Sequence, residues 1–267
     1  MSSQKVALVT GATRGIGRAI VDRLSREGMC CIMVGSKLES FRSMTENPPV
    51  LLHKEQWHRG LAIDLARWPH WVDEKQFSGI HFSKETHSSG HLPVSGTWPL
   101  LQLDTGYELA MLVNVAGIAQ ASPSVLCGPM EMQKMVNINF LSAVSMCNAA
   151  VRRMIRSRKR LDRAPCIVNV SSVLGDPGVY PVTGTSVYSA TKAALAQYSR
   201  VLAAEVADTG IRVECVSPSL VPDTDMIQSL SPQARERLFA QFGENNDTHI
   251  QNKEEIATQI WELYEKP

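Results

Sequence analysis

"VALVTGATRGIG" (residues 6–17) joins a five-residue strand-like run to a glycine-rich turn and then to the start of a helical pattern. The run Val6 to Thr10 is short, rich in β-branched residues and halted by Gly11, the marks of a buried parallel strand. From Ile16 the period changes: Ile16, Ala19, Ile20 and Leu24 fall on one helical face, and Gly28 is placed to end that helix. A glycine-rich string alone is weak evidence, whereas one lodged between a strand and a helix has a mechanism. There, Gly11 permits the tight turn, Gly15 lets backbone approach a pyrophosphate, and Gly17 lets the helix pack close to the sheet. Free N–H groups and the positive end of the helix dipole then favour phosphate. The turn therefore predicts a dinucleotide cleft built on Gly11, Thr13, Arg14, Gly15, Ile16 and Gly17.

The same rhythm repeats outward. "CCIMV" (30–34), "GLAID" (60–64), "LAMLVN" (109–114), "CIVNVS" (166–171) and "IRVECVS" (211–217) read as further strands, and helical patterns span about 131–158 and 188–207. Strands alternating with helices predict an α/β fold: one doubly wound, Rossmann-like parallel sheet in a single domain over 1–267. Residues 66–107 break the pattern and read as an irregular surface insertion with its own small core. Its histidines, His70, His81, His87 and His91, lack metal-ligand spacing, so no metal site is expected. "KEEIATQIWELYEKP" (253–267) reads as an amphipathic helix.

Composition narrows the class. With 44% hydrophobic and 20% charged residues among 267, the chain has the make-up of a soluble globular protein with a substantial core. A net charge of +1 gives no global attraction to nucleic acid or to an anionic membrane, and no apolar run is long enough to span a bilayer. The six cysteines are scattered and form no C-x-x-C pair, which predicts reduced packing residues in an intracellular protein. The first strand follows "MSSQK" directly and leaves no room for a conventional presequence, so the expectation is either a cytoplasmic protein or one imported by another signal.

The end of the second strand selects the dinucleotide. An NAD site offers a carboxylate there to the ribose 2′-hydroxyl, and an NADP site offers positive charge and hydroxyls. Here the strand runs into Gly35, Ser36 and Lys37, with no acid before Glu39, and Arg14 adds charge within the turn. NADPH is the expected cofactor, its extra phosphate held by Arg14, Ser36 and Lys37.

Later segments line up in order: "NVAG" (114–117), "NIN" (137–139), "NVSS" (169–172), and Tyr188 four residues before Lys192. With the glycine turn, this series resembles the short-chain dehydrogenase/reductase family from Val6 to about Met226. "IDLARWPHW", "PVTGTSVYSATKAAL" and "LVPDTDMIQSL" are most similar to its mitochondrial 3-oxoacyl-[acyl-carrier-protein] reductase branch. The resemblance implies NADPH-dependent reduction of a 3-keto group on an acyl chain carried by acyl carrier protein, in mitochondrial type II fatty acid synthesis. It implies Tyr188 as proton donor, Lys192 as the cation that favours its phenolate and holds the nicotinamide ribose, and Ser172 as a hydrogen bond to the carbonyl. It also implies Asn139 as organiser of a water chain.

For the cofactor, the family pattern places Asp64 and Leu65 at the adenine and Asn114, Ala116 and Gly117 along the adenosine ribose. Pro218, Val221 and Thr224 fall at the nicotinamide. This sequence departs from the pattern at Val115, at Ser219, in the long interval from Ser172 to Tyr188, and in having no counterpart of the last strand. The family implies a homo-oligomer, and the missing strand leaves its geometry open.

Two other activities fit the same residues: a reductase for a steroid or small ketone, and a non-catalytic cofactor-binding subunit of a hetero-oligomer. The basic run "RRMIRSRKRLDR" (152–163) has two readings as well. It is either a solvated helix end or, through Arg152, Arg153, Arg156, Arg158, Lys159 and Arg160, a docking patch for acidic acyl carrier protein.

Overall fold

In the computed structural model, residues 3–72, 77–84, 103–179, 181–245 and 250–266 are described. Seven strands form one sheet: β1 (Gln4–Thr10), β2 (Cys30–Gly35), β3 (His58–Ala62), β4 (Gly79–Phe82), β5 (Tyr107–Asn114), β6 (Cys166–Val170) and β7 (Arg212–Val216). Their order is β4-β3-β2-β1-β5-β6-β7, all parallel except β4, which runs antiparallel to β3. The six parallel strands are those read from the sequence. Among the described residues β7 is the last strand on its edge.

Even in these apolar strands side chains alternate between faces. Ala7, Val9, Cys31, Met33 and Val113 enter one core, where α1 (Gly15–Arg26) packs. Val6, Leu8, Cys30, Ile32 and Leu112 enter the other. Arg42–Glu46 forms the short α2. The second face is covered by a long helical segment in three pieces: α3 (Pro129–Val136), a wider π turn over Asn137–Leu141, and α4 (Ser142–Ser157). Beside it lies α5 (Ser186–Val206). After β7 come α6 (Asp225–Gln228), α7 (Pro232–Asn245) and α8 (Lys253–Glu265). Asn252 and Glu255 form a reciprocal capping box at the start of α8, whose Ile256, Ala257, Ile260 and Tyr264 close the α1 side of the core.

The insertion differs from expectation. Its described parts share the main core: Trp71 and Phe77 join the α4 side, and Ile80 and Phe82 of β4 join the α1 side. β4 escaped the sequence reading because "GIHF" is too short to show a period. Residues 73–76 and 85–102, including His87 and His91, lie outside the described residues. The six cysteines are all free thiols, five of them buried. Among the described residues no helix is long and apolar enough to cross a membrane.

Candidate active site

The strand order reverses between β1 and β5, and a cleft of about 700 Å³ opens beyond their carboxyl ends. At that edge Thr10 pairs with Asn114 in register, and the Thr10 hydroxyl accepts from the Val115 and Ala116 N–H groups at 3.2 and 3.3 Å. This holds the exit of β5 against the glycine turn. Gly11 has φ 64°, and a Cβ built there would lie 2.7 Å from Ala116 Cα, so only glycine fits.

Of the residues expected at the cofactor, Gly11, Thr13, Arg14, Gly15, Ile16, Gly17, Ser36, Lys37, Asp64, Leu65, Ala116, Gly117 and Thr224 all line this cleft. Asn114 does not. Its amide points into the interior, where it donates to Asn169 Oδ1 at 2.8 Å, and Asn169 in turn donates to Ser199. Arg14 is 75% exposed and faces Asp225 across the cleft at 3.5 Å. Arg14 offers α1 no side-chain cap, so no capping side chain occupies the space before the helix start.

A second cavity, of about 130 Å³, continues from the cleft past Ile16, Val115, Gly117, Ala119 and Thr224. Ser172, Tyr188, Lys192, Pro218 and Val221 line it, among apolar walls that include Val173, Leu174, Met226, Ile227 and Leu238. The long Ser172–Tyr188 interval does not separate the two residues. Ser172 caps a 3₁₀ turn over Val173–Gly175, and that turn lies flat on α5: a Cβ at Gly175 would sit 2.7 Å from Ala193 N. Val173 N–H also donates to the Pro218 carbonyl at 3.0 Å, fixing the loop after β7.

Tyr188 is 9% exposed and Lys192 4% exposed. Burial pushes the Tyr188 phenol up, and a hydrogen bond with Ser172 works against that shift. The Lys192 ammonium donates to the Val170 carbonyl at 2.8 Å and lies 5.9 Å from the centroid of the Tyr188 ring. Burial lowers Lys192 to about 8. In the chain by itself desolvation is the largest influence on the phenol, and the Ser172 hydrogen bond opposes it.

Two asparagines, two residues apart in sequence, face opposite ways on the π turn. Asn139 Nδ2 donates to the Ile118 carbonyl at 3.0 Å and to Thr191 Oγ1 at 3.1 Å, while its Oδ1 accepts from Ile118 N–H at 2.9 Å. Asn137 instead donates to the Ala66 carbonyl at 2.7 Å and ties the insertion down. A position at Gly117 looks onto both Asn139 Oδ1 and Lys192 Nζ, each 3.5 Å from a Cβ built there.

Sequence reasoning missed two supports. Gln120 is buried in the cavity wall with its Oε1 on the first turn of α5. Gln251 accepts from Ser219 N–H at 2.9 Å and donates its own N–H to the Leu220 carbonyl at 3.1 Å. That clamp holds the turn at Ser219 from outside. No local pattern announces either residue.

Part of the basic run is committed to pairing within the fold. Buried Glu108 takes both Arg153, at 3.4 Å, and Arg160. The run closes α4, whose 16 residues span roughly 24 Å away from the π turn, and it leads into the amino end of β6, whereas Ser172 follows the carboxyl end of that strand.

The sequence model of the short chain dehydrogenase family matches residues 5–68 and 103–235. Carbonyl reductase family member 4 of Danio rerio is 31% identical over 242 residues, 90% of this chain and 86% of that protein. The 3-oxoacyl-[acyl-carrier-protein] reductase of Homo sapiens is 31% identical over 229 residues, 86% of this chain and 80% of its own length. Among solved structures, 4-hydroxyisoleucine dehydrogenase complexed with NADH superposes with TM-score 0.72 at 19% identity, covering 97% of this chain and 90% of that one. A short-chain dehydrogenase from Sphingobium yanoikuyae in complex with NADPH gives 0.69 at 20%, covering 98% and 84%. The family match spans well over half of the chain, and this protein belongs to the short-chain dehydrogenase family.

Proposed function

We propose that this protein uses NADPH to reduce the 3-keto group of an acyl chain carried on acyl carrier protein, giving the 3-hydroxyacyl product. The observation that carries this reading is one continuous space: the cavity walled by Ser172, Tyr188 and Lys192 opens directly into the cleft at the glycine turn. The fit to a dinucleotide rests on the uncapped start of α1, on Gly15 at φ 54° with only Thr224 near its open side, and on Asp64 at the cleft's far wall. Ser36, Lys37 and Arg14 on the cleft wall, with no carboxylate at the end of β2, favour the 2′-phosphate and hence NADPH.

When bound there, the cofactor supplies a hydride to the substrate's carbonyl carbon. Tyr188 gives its phenolic proton to the carbonyl oxygen, and burial keeps that proton in place until it is needed. Ser172 hydrogen-bonds the same oxygen as negative charge develops on it. The phenolate left behind is stabilised by the Ser172 hydroxyl and the Lys192 charge. Asn139 Oδ1 and Lys192 Nζ share one side of Gly117, which supports a solvent path for returning the proton.

The apolar walls suit an acyl chain. The likeness to human 3-oxoacyl-[acyl-carrier-protein] reductase supports this substrate. A second reading, a reductase for a small or steroid ketone, draws on the likeness to carbonyl reductase family member 4. The test is NADPH oxidation by the purified chain with acetoacetyl groups on acyl carrier protein, on coenzyme A and with steroid ketones. The carrier-bound substrate is expected to turn over best. A clear preference for a steroid or small ketone would establish the second reading instead, and no turnover on any substrate would favour a cofactor-binding subunit.

A further inference from the structure

The first four N–H groups of any helix lack intrahelical partners and usually take a local side chain as cap. At α5 the local cap is missing: the Thr185 hydroxyl bonds the Val182 carbonyl and the Ser189 hydroxyl and caps no backbone N–H of the helix. The acceptor comes from 67 and 68 residues away. Gln120 Oε1 accepts from Val187 N–H at 2.8 Å and from Tyr188 N–H at 3.2 Å, while its Nε2 donates to the Ser122 carbonyl at 2.8 Å. Gln120 is 3% exposed and belongs to the wall of the cavity that holds Tyr188.

The segment carrying it is fixed at both ends. Two hydrogen bonds join Ile118 to Asn139 on the π turn, and Ala121–Ser122 rests against Gly184 just before α5. Ile118–Ser122 thus works as a splint between the π turn and the helix that bears the phenol.

We propose that Gln120 is a positioning residue: by capping α5 across the fold, it sets where the Tyr188 phenol lies relative to the dinucleotide cleft. This rests on the proposed role of Tyr188 as proton donor. A displacement of about 1 Å in a reacting group can cost on the order of 100-fold in rate. The neutral amide has a further advantage over the aspartate or glutamate that would cap more strongly. It satisfies two N–H groups without setting a negative charge beside a phenol that must become a phenolate.

The experiment compares Gln120→Met and Gln120→Glu in the full chain. It reads kcat, NADPH affinity and amide hydrogen exchange of the peptide containing Val187 and Tyr188. Gln120→Met is expected to lower kcat about tenfold or more, to leave NADPH affinity within about twofold, and to lose protection at that peptide. Gln120→Glu should keep the protection and recover much of kcat at neutral pH. It should also move the alkaline limb of kcat upward, because the carboxylate disfavours the phenolate.

Retained protection in Gln120→Met, lost protection with unchanged kcat, or an unmoved limb in Gln120→Glu would each overturn the proposal. If Gln120→Met does not fold, the pH limb of Gln120→Glu decides. If the wild type reduces another ketone, the functional reading fails while Gln120 is tested on that ketone. If it reduces none, the exchange result alone decides.

Discussion

Lys192 lies one helical turn from Tyr188, its ammonium 5.9 Å from the centre of the phenol ring, yet the hydrogen bond it makes is to the Val170 carbonyl at 2.8 Å. The cation is thus anchored to the carboxyl end of β6, between the phenol above and the cleft at Gly117. Burial raises the phenol and lowers the lysine, and only Ser172 pulls the phenol back. The phenol is held protonated beside a charged lysine, which suits the proposed role of Tyr188 as proton donor.

Tyr188→Phe removes that proton and keeps the ring's packing. Turnover should fall by about 10²- to 10⁴-fold, the usual range for a lost general acid. NADPH affinity should change little, because the cleft residues at the glycine turn are untouched. Fluorescence titration of NADPH beside steady-state rates separates the two effects. Turnover near the wild-type level would remove Tyr188 from the mechanism.

Lys192→Met should abolish turnover and stabilise the fold at neutral pH. The folded-state value, near 8, lies below that of an unfolded lysine at 10.5. Below about 8 both states carry the charge, and the folded chain bears the full cost of burying it. Between about 8 and 10.5 the folded protein binds fewer protons than the unfolded one, so wild-type stability gains up to about 1.4 kcal/mol per pH unit. Thermal melts of both proteins from pH 7 to 10 should show the variant ahead at first and the gap closing above pH 8.

Lys37→Glu sets a carboxylate at the end of β2, among the residues that line the cleft. NADPH should bind about tenfold more weakly or worse, through like-charge repulsion of the 2′-phosphate, while NADH binding holds or improves. Equal losses for both dinucleotides would place the 2′-phosphate elsewhere.

Charge reversal at Arg156 and Arg158 should alter rates on carrier-bound and small thioesters alike, leaving their ratio within about twofold. These residues stand at the far end of α4, and neighbouring Arg153 and Arg160 already pair with Glu108. A selective loss on the carrier-bound substrate would establish the docking role.

The sequence by itself determined the sheet's six parallel strands, the cleft at the glycine turn and the placing of Tyr188 with Lys192 on one helix face. Each of these is written in short-range periodicity, in which a residue's side is set by 2 or 3.6 residues per repeat. Tertiary structure alone decided what distant groups do to one another. It paired Arg153 and Arg160 with a glutamate 45 and 52 residues earlier, turned Asn114 inward onto Asn169, and split Asn137 from Asn139 across a π turn. It also supplied the cap of the helix bearing Tyr188 from Gln120. A buried polar group takes whichever partner the packed chain brings within about 3 Å, and no local pattern encodes that choice.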